Sequence, residues 1–241
     1  MFNENVAKFS TPEEEIAFLR EQISKKESEL RENIIAQCRA MNASGLNQGT
    51  SGNISARCGD RMLITPSAIP YDVMTPETIA SMPIDDNYGT WDGPKKPSSE
   101  WRFHLDILRT RPNVGAIVHT HSTYCTSLSI ARMSIPAIHY MIAHFGGPDI
   151  RCADYALYGS AQLSAHVLKA MEGRNGCLLA NHGMIAAGRN LAQAMWLAVE
   201  LETLARQYWH ALQIGGPVLL SADEVRQAAE KFGVTGYGLA G

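Results

Sequence analysis

At 241 residues with a formal net charge of −3, the chain has the length for one large domain around a buried core, and its charge argues against a broad nucleic-acid surface. No apolar run reaches the ~18 residues of a membrane-spanning helix, and Met1-Phe2-Asn3-Glu4-Asn5 has neither the basic nor the apolar region of a secretory signal. The scattered cysteines Cys38, Cys58, Cys125, Cys152 and Cys177 form no C-x-x-C, which points to reduced, mostly buried thiols and a cytoplasmic protein.

Thr11-Pro12-Glu13-Glu14 is a helix start, with a capping threonine, proline at the first helical position and Glu14 closing a capping box. Helical pattern runs to about Asn42, with Gly45 as its stop and Lys25-Lys26 as the candidate break. Its charged first half reads as an oligomer contact or a surface helix. Short strands follow at 53–57 and 62–65, split by the turn Gly59-Asp60. Thr75-Pro76-Glu77 opens a short helix, and 85–97, rich in Asp, Gly, Pro and Lys, reads as a solvent loop. Ser98-Ser99-Glu100 is expected to cap a helix that carries Trp101, Leu105 and Leu108 inward.

A β-branched run then leads through His119, followed by a helix at 123–131 and another from Gly159-Ser160 to near Gly173. The apolar runs 177–180 and 184–187 flank His182 and place it in a tight turn between strands. Two C-terminal helices are predicted at 191–214 and 222–232, the second begun by the capping box Ser221-x-x-Glu224. Strands interspersed with helices along the whole length predict an α/β protein, a three-layer α/β/α sandwich whose hairpin-like pairings make the central sheet mixed and largely antiparallel.

The chemistry centres on Ala116-Ile117-Val118-His119-Thr120-His121. Side chains two apart on a strand share a face, so both imidazoles can reach one metal ion. Two buried, hydrogen-bonded histidines at a strand end are the plainer reading of that pair. A third candidate, His182 in Asn181-His182-Gly183, and the carboxylate of Glu100 favour a catalytic metal with an open coordination position. His104, His166 and His210 fall on predicted helices, where a solvated or half-buried histidine is the default. Glu100 reads either as a first-turn carboxylate favoured by the helix dipole or as a general base beside the metal. Ser98 and Ser99, with the turn Gly49-Thr50-Ser51-Gly52-Asn53, offer hydroxyls and backbone N–H groups to an anion and so suggest a phosphorylated substrate.

Four strings, Leu46-Asn47-Gln48-Gly49-Thr50-Ser51-Gly52-Asn53-Ile54-Ser55, Met62-Leu63-Ile64-Thr65-Pro66-Ser67, Pro97-Ser98-Ser99-Glu100-Trp101-Arg102 and Asn181-His182-Gly183, together resemble the class II aldolase/adducin family. The resemblance is strongest to its bacterial L-fuculose-1-phosphate aldolase branch and covers about residues 30 to 238 in collinear order. It divides the chain into an N-terminal helical extension, 1–25, and a catalytic domain, 26–241. It implies a zinc-dependent aldehyde-lyase that cleaves a ketose 1-phosphate, such as L-fuculose 1-phosphate, to dihydroxyacetone phosphate and an aldehyde such as L-lactaldehyde. The zinc ligands would be His119, His121 and His182, a donor set that Mn2+, Fe2+ or Co2+ could also occupy. Glu100 would be the catalytic carboxylate, and Asn53, Ser67, Ser98 and Ser99 the phosphate pocket. Tyr140 would reach a neighbouring subunit's site and Tyr237 would act from a C-terminal tail, both on the aldehyde. The active form would be a homotetramer with active sites at subunit interfaces, with no nucleic-acid or membrane partner.

Two departures bear on the substrate. The family's usual Pro-Thr-Gly reads Pro66-Ser67-Ala68 here, which adds a Cβ where backbone should approach the phosphate and keeps an unphosphorylated substrate open. The tail Gly238-Leu239-Ala240-Gly241 lacks the basic residue of the branch, so aldehyde specificity is not carried over. The same metal chemistry also allows an epimerase, a dehydratase or a decarboxylase, although the family's epimerases carry aspartate where Glu100 stands. A non-catalytic, adducin-like binding module is expected to have lost the metal histidines, and all three are present.

Overall fold

A hydrogen bond from the Glu14 backbone N–H to the Thr11 side chain, with Pro12 next to it, starts the first helix where the local chemistry sets it. The computed structural model describes residues 9, 11–85, 88–236 and 238. In chain order the elements are α1 (Pro12–Ala43), β1 (Asn53–Cys58), β2 (Arg61–Ile64), β3 (Ala80–Pro83), α2 (Trp101–Thr110), β4 (Ala116–Thr120), α3 (Thr123–Ile130), β5 (Cys152–Ala153), α4 (Ala161–Ala170), β6 (Gly176–Leu179), β7 (Gly183–Gly188), α5 (Leu191–Gln213) and α6 (Ala222–Thr235). Short 3-10 turns occupy Tyr71–Val73, Pro76–Thr78 and Tyr140–Phe145.

α1 runs unbroken past Lys25-Lys26, which contains neither glycine nor proline to interrupt it. It buries Ile34, Ile35, Cys38 and Met41 and leaves Ile16, Leu19 and Ile23 exposed. The sheet order is β3-β2-β1-β4-β7-β6-β5. Every pairing is antiparallel except β5 with β6. Its strands alternate between two covered faces. Ile54, Ala56, Leu63, Val118 and Ala186 face the core beneath α1, α3, α5 and α6. Met62, Ile64, Ile117, Ile185 and Ala187 face the core beneath α2 and α4. The result is the expected three-layer sandwich, and β4 lies at the centre of the sheet.

Three expectations need correction. β3 and the two-residue β5 have no counterpart in the sequence reading; both are too short to show a period. The 85–97 loop is partly stitched to the sheet edge, since Ser81 and Asp92 exchange backbone hydrogen bonds at 3.0 and 2.8 Å. At the start of α2 the N-cap residue is Glu100, whose side chain makes no capping bond, because it turns inward instead. The Ser98 hydroxyl accepts from the Glu100 backbone N–H at 3.3 Å. Leu105 and Leu108 are buried as expected, while Trp101 is half-buried against Tyr88. Among the described residues no helix is long and apolar enough to cross a membrane.

The β6–β7 turn shows how tightly the sheet centre is assembled. A Cβ on Gly183 would lie 2.4 Å from the Thr120 carbonyl oxygen and 3.0 Å from the His121 ring. Gly183→Ala is therefore expected to cost about 1–3 kcal/mol as an overpacking change and to weaken metal retention. Thermal denaturation with metal analysis checks this, and a wild-type melting temperature would show that the β4–β7 pair can give.

Candidate active site

His119 is the penultimate residue of β4, directly opposite Asn53 on β1 and Ile185 on β7, and it is fully buried. Its Nδ1 lies 2.9 Å from the Met184 carbonyl oxygen. A carbonyl only accepts, so Nδ1 carries the proton and Nε2 presents a lone pair. His121 stands just past the strand, where its Nε2 comes within 3.1 Å of that of His119. Glu202 of α5 accepts from the Tyr124 and Cys125 backbone N–H groups at 2.8 and 2.9 Å, fixing the helix start that follows His121. His182 sits in the β6–β7 turn behind Asn181, which takes a left-handed φ of 55° that asparagine tolerates.

The Glu100 carboxylate completes the cluster. Oε2 lies 3.2 Å from His119 Nε2, and Oε1 lies 3.0 Å from His182 Nε2. One ligand atom from each of Glu100, His119, His121 and His182 falls within 4.8 Å of the others. Lone pairs and a carboxylate facing one another at this range repel unless a cation lies among them. Glu100 Oε1 is moreover buried without a hydrogen bond, its approach to His182 lacking the required geometry. Three imidazoles and a carboxylate with an orphaned buried oxygen together fit a divalent cation.

The electrostatics agree. Burial pushes the Glu100 carboxyl upward, but positive charge placed at His119 and His182, the side from which a bound cation would act, outweighs it and holds the group well below the usual carboxylate range. His121 is pushed down to about 4, by burial first and then by its histidine neighbours, and so stands neutral, the state that metal binding requires.

The cluster opens into a cavity of about 390 Å³. Asn53, Ser67, Ser98 and Ser99 all line it, together with Glu100, His121 and His182. Backbone bonds from Ser67 N to Lys96 O at 3.0 Å and from Ser98 N to Thr65 O at 2.9 Å hold the serine-bearing segments side by side. Ala68 lines the same wall with a φ of 57°, so it keeps the left-handed turn at a cost of about 1–2 kcal/mol. Tyr140 is exposed and does not line this cavity; its ring stacks on His139. Tyr237 lies outside the described residues.

Several residues at the site were given no role in the sequence reading. Asn47 accepts the Ser51 hydroxyl at 3.2 Å, and Tyr71 donates to the Gly52 carbonyl at 2.5 Å, which together pin the glycine turn. Tyr155 and Tyr158 line the cavity mouth, in a stretch with no sequence signal to mark them. His104, expected to be solvated or half-buried, is fully buried instead. It occupies the helix face one turn after Glu100, and that i, i+4 spacing is the signal that would have found it. Its Nε2 lies 2.6 Å from Asn53 Oδ1 and its Nδ1 2.8 Å from the Ser55 hydroxyl. Asn53 Nδ2 in turn donates to Glu100 Oε2 at 2.9 Å.

Known proteins place this arrangement. The family model described as class II aldolase and adducin N-terminal domain matches residues 32–209. A Rhodospirillum rubrum protein named 5-methylthioribulose-1-phosphate/5-deoxyribulose-1-phosphate aldolase is 54% identical over 203 residues, covering 84% of this chain and 90% of the relative. An Escherichia coli K12 protein named L-fuculose phosphate aldolase is 48% identical over 213 residues, covering 88% and 97%. A solved structure named L-fuculose 1-phosphate aldolase superposes with a TM-score of 0.81 at 40% identity, covering 86% of this chain and 97% of that one.

Burial of His104 predicts a pH dependence of stability. Burial first, and then the charge of His119, pushes its ring down to about 3 from 6.5. Between those values the unfolded chain holds the extra proton, so stability present above the upper value is lost as pH falls, by up to about 1.4 kcal/mol per pH unit. Denaturant titrations across this window should show a shallower slope for His104→Gln than for the wild type. Coincident slopes would mean the ring is protonated in the folded protein.

Proposed function

The chain belongs to the class II aldolase and adducin family and is a metal-dependent carbon–carbon lyase, and from this we propose that it cleaves a ketose 1-phosphate to dihydroxyacetone phosphate and an aldehyde. The observation that carries the reading is the shared cavity: the Glu100 and histidine cluster on one wall, Ser67, Ser98, Ser99 and Asn53 around it. Serine hydroxyls and backbone N–H groups suit the phosphate. Asn53 spends one amide hydrogen and its oxygen on Glu100 and His104, so its contribution to the phosphate is its second amide hydrogen.

We assign zinc to His119, His121 and His182, since imidazoles with one open position suit that ion. Bound there, zinc supplies Lewis-acid stabilisation of the charge that develops on the substrate oxygens as the C3–C4 bond breaks. Glu100 carries the proton to and from the donor's α-carbon. Oε2 is held by Asn53, which leaves Oε1 as the oxygen that takes the proton. Burial favours the protonated carboxyl, which suits a group that takes up the α-proton.

Tyrosines exchange the proton of the aldehyde oxygen: Tyr237 from the tail, and Tyr140 across a subunit contact. An exposed Tyr140 outside its own cavity is what service to a neighbour requires. The exposed Ile16, Leu19 and Ile23 of the extension support further contact in a homotetramer. Five free thiols and the absence, among the described residues, of a membrane-crossing helix support a cytoplasmic home. Tyr155 and Tyr158 give the mouth aromatic faces that suit a methyl or methylthio end, so 5-deoxy- and 5-methylthioribulose 1-phosphates stand beside L-fuculose 1-phosphate as substrates.

Two measurements test this. Glu100→Gln is expected to slow solvent exchange of the dihydroxyacetone phosphate α-proton about 10²- to 10⁴-fold while metal stays bound; undiminished exchange would remove Glu100 as the base. In a panel of L-fuculose, L-rhamnulose, 5-deoxyribulose and 5-methylthioribulose 1-phosphates with their unphosphorylated ketoses, only phosphorylated members should be cleaved. Equal cleavage of a free ketose would overturn the phosphate reading.

A further inference from the structure

Beneath the metal cluster lies a chain of buried polar groups that ends on Glu100 and whose inner members, Ser55 and His104, line no part of the cavity. It runs from Ser55 Oγ to His104 Nδ1 at 2.8 Å, from His104 Nε2 to Asn53 Oδ1 at 2.6 Å, and from Asn53 Nδ2 to Glu100 Oε2 at 2.9 Å. Ser55 and His104 are fully buried, and Asn53 and Glu100 are 4% and 5% exposed. His104 lines no part of the cavity. The stacked ring of Phe103, with centroids 4.7 Å apart, and the serine hydroxyl keep the imidazole in one orientation.

The direction of every hydrogen bond in this chain follows from the group at its end. An ionised carboxylate only accepts, so Asn53 must turn its amide nitrogen to Glu100 and its oxygen to His104. The ring must then carry its proton on Nε2, and its Nδ1 accepts from Ser55. Neutral and without a free donor, His104 has no other use for that proton. Without it, nothing decides between the two orientations of the Asn53 amide, and the flipped form sets Oδ1 against the carboxylate.

We propose that His104 is a positioning residue for the lyase reaction: by donating from Nε2 it locks the Asn53 amide, which holds Glu100 Oε2 and leaves Oε1 free to move the α-proton. The inference rests on the reading of Glu100 as the base. It gives one asparagine two roles, since its amide fixes the carboxylate while the residue also lines the cavity.

The test combines spectroscopy with kinetics on the metal-loaded enzyme. Nitrogen-15 NMR of histidine-labelled wild type should show His104 as the Nε2–H tautomer, a readout independent of turnover and of any substitution. His104→Leu should lower kcat for α-proton exchange about 10- to 100-fold, the usual cost of losing such a supporting partner, with KM moving far less and metal content unchanged. His104→Gln, whose amide nitrogen can reach the position of Nε2, should restore most of the loss. An Nδ1–H tautomer, a kcat for His104→Leu within twofold of wild type, or a glutamine variant as impaired as leucine would each overturn the proposal. Undiminished exchange in Glu100→Gln would refute the base reading itself and the positioning role with it, whereas a wrong tautomer refutes the positioning role and leaves the base in place.

Discussion

Four ionisable side chains converge at one end of β4 in a space where their ligand atoms lie within 4.8 Å of one another. Placing so many polar groups away from water costs several kcal/mol unless each has a partner of the right kind. The molecule meets that demand with groups that hold one another in place: a backbone carbonyl for His119, an amide for Glu100, an imidazole and a hydroxyl behind the amide. Each fixes a tautomer or an orientation, so lone pairs face inward wherever a cation is wanted.

The sheet order makes this possible. β4 lies between β1 and β7, and antiparallel pairing brings Asn53 beside His119 on one side and the Met184 carbonyl within reach on the other. α2 lies across the same face and delivers Glu100 and His104 one turn apart. Two periodicities meet there: residues two apart on the strand, Asn53 and Ser55, face residues four apart on the helix, Glu100 and His104. A one-residue slip in β1 would turn both polar side chains to the opposite face and leave the helix side unpartnered.

Burial falls off from this centre outward. The inner wall is held by strand pairing and buried hydrogen bonds, while Ser67, Ala68, Tyr155 and Tyr158 lie on exposed segments at the mouth. Relatives with differently named substrates at 54% and 48% identity are consistent with that division, in which the reacting end is fixed and the far end is open to variation. Ala68 belongs to the outer zone, and its left-handed backbone shows that the turn is worth its local strain without a glycine.

Much of the arrangement is legible in the chain itself. The H-x-H spacing on a β-branched run, the histidine between two apolar runs, the Thr11 N-cap and the Ser221 capping box each carry a local physical cause, and local causes survive folding. What the sequence leaves undecided is where a polar residue points when both faces of its strand are covered. Asn53-Ile54-Ser55-Ala56 alternates like a half-solvated strand, yet both polar members are buried because α2 closes over them. His104 has the pattern of any amphipathic-helix histidine and becomes part of the site through a partner 51 positions away. The sequence by itself determined which groups the proposed chemistry draws on, since metal binding needs particular residue types. Only the tertiary structure decided how those groups are oriented, since hydrogen-bond direction is set by neighbours that the chain brings together from distant positions.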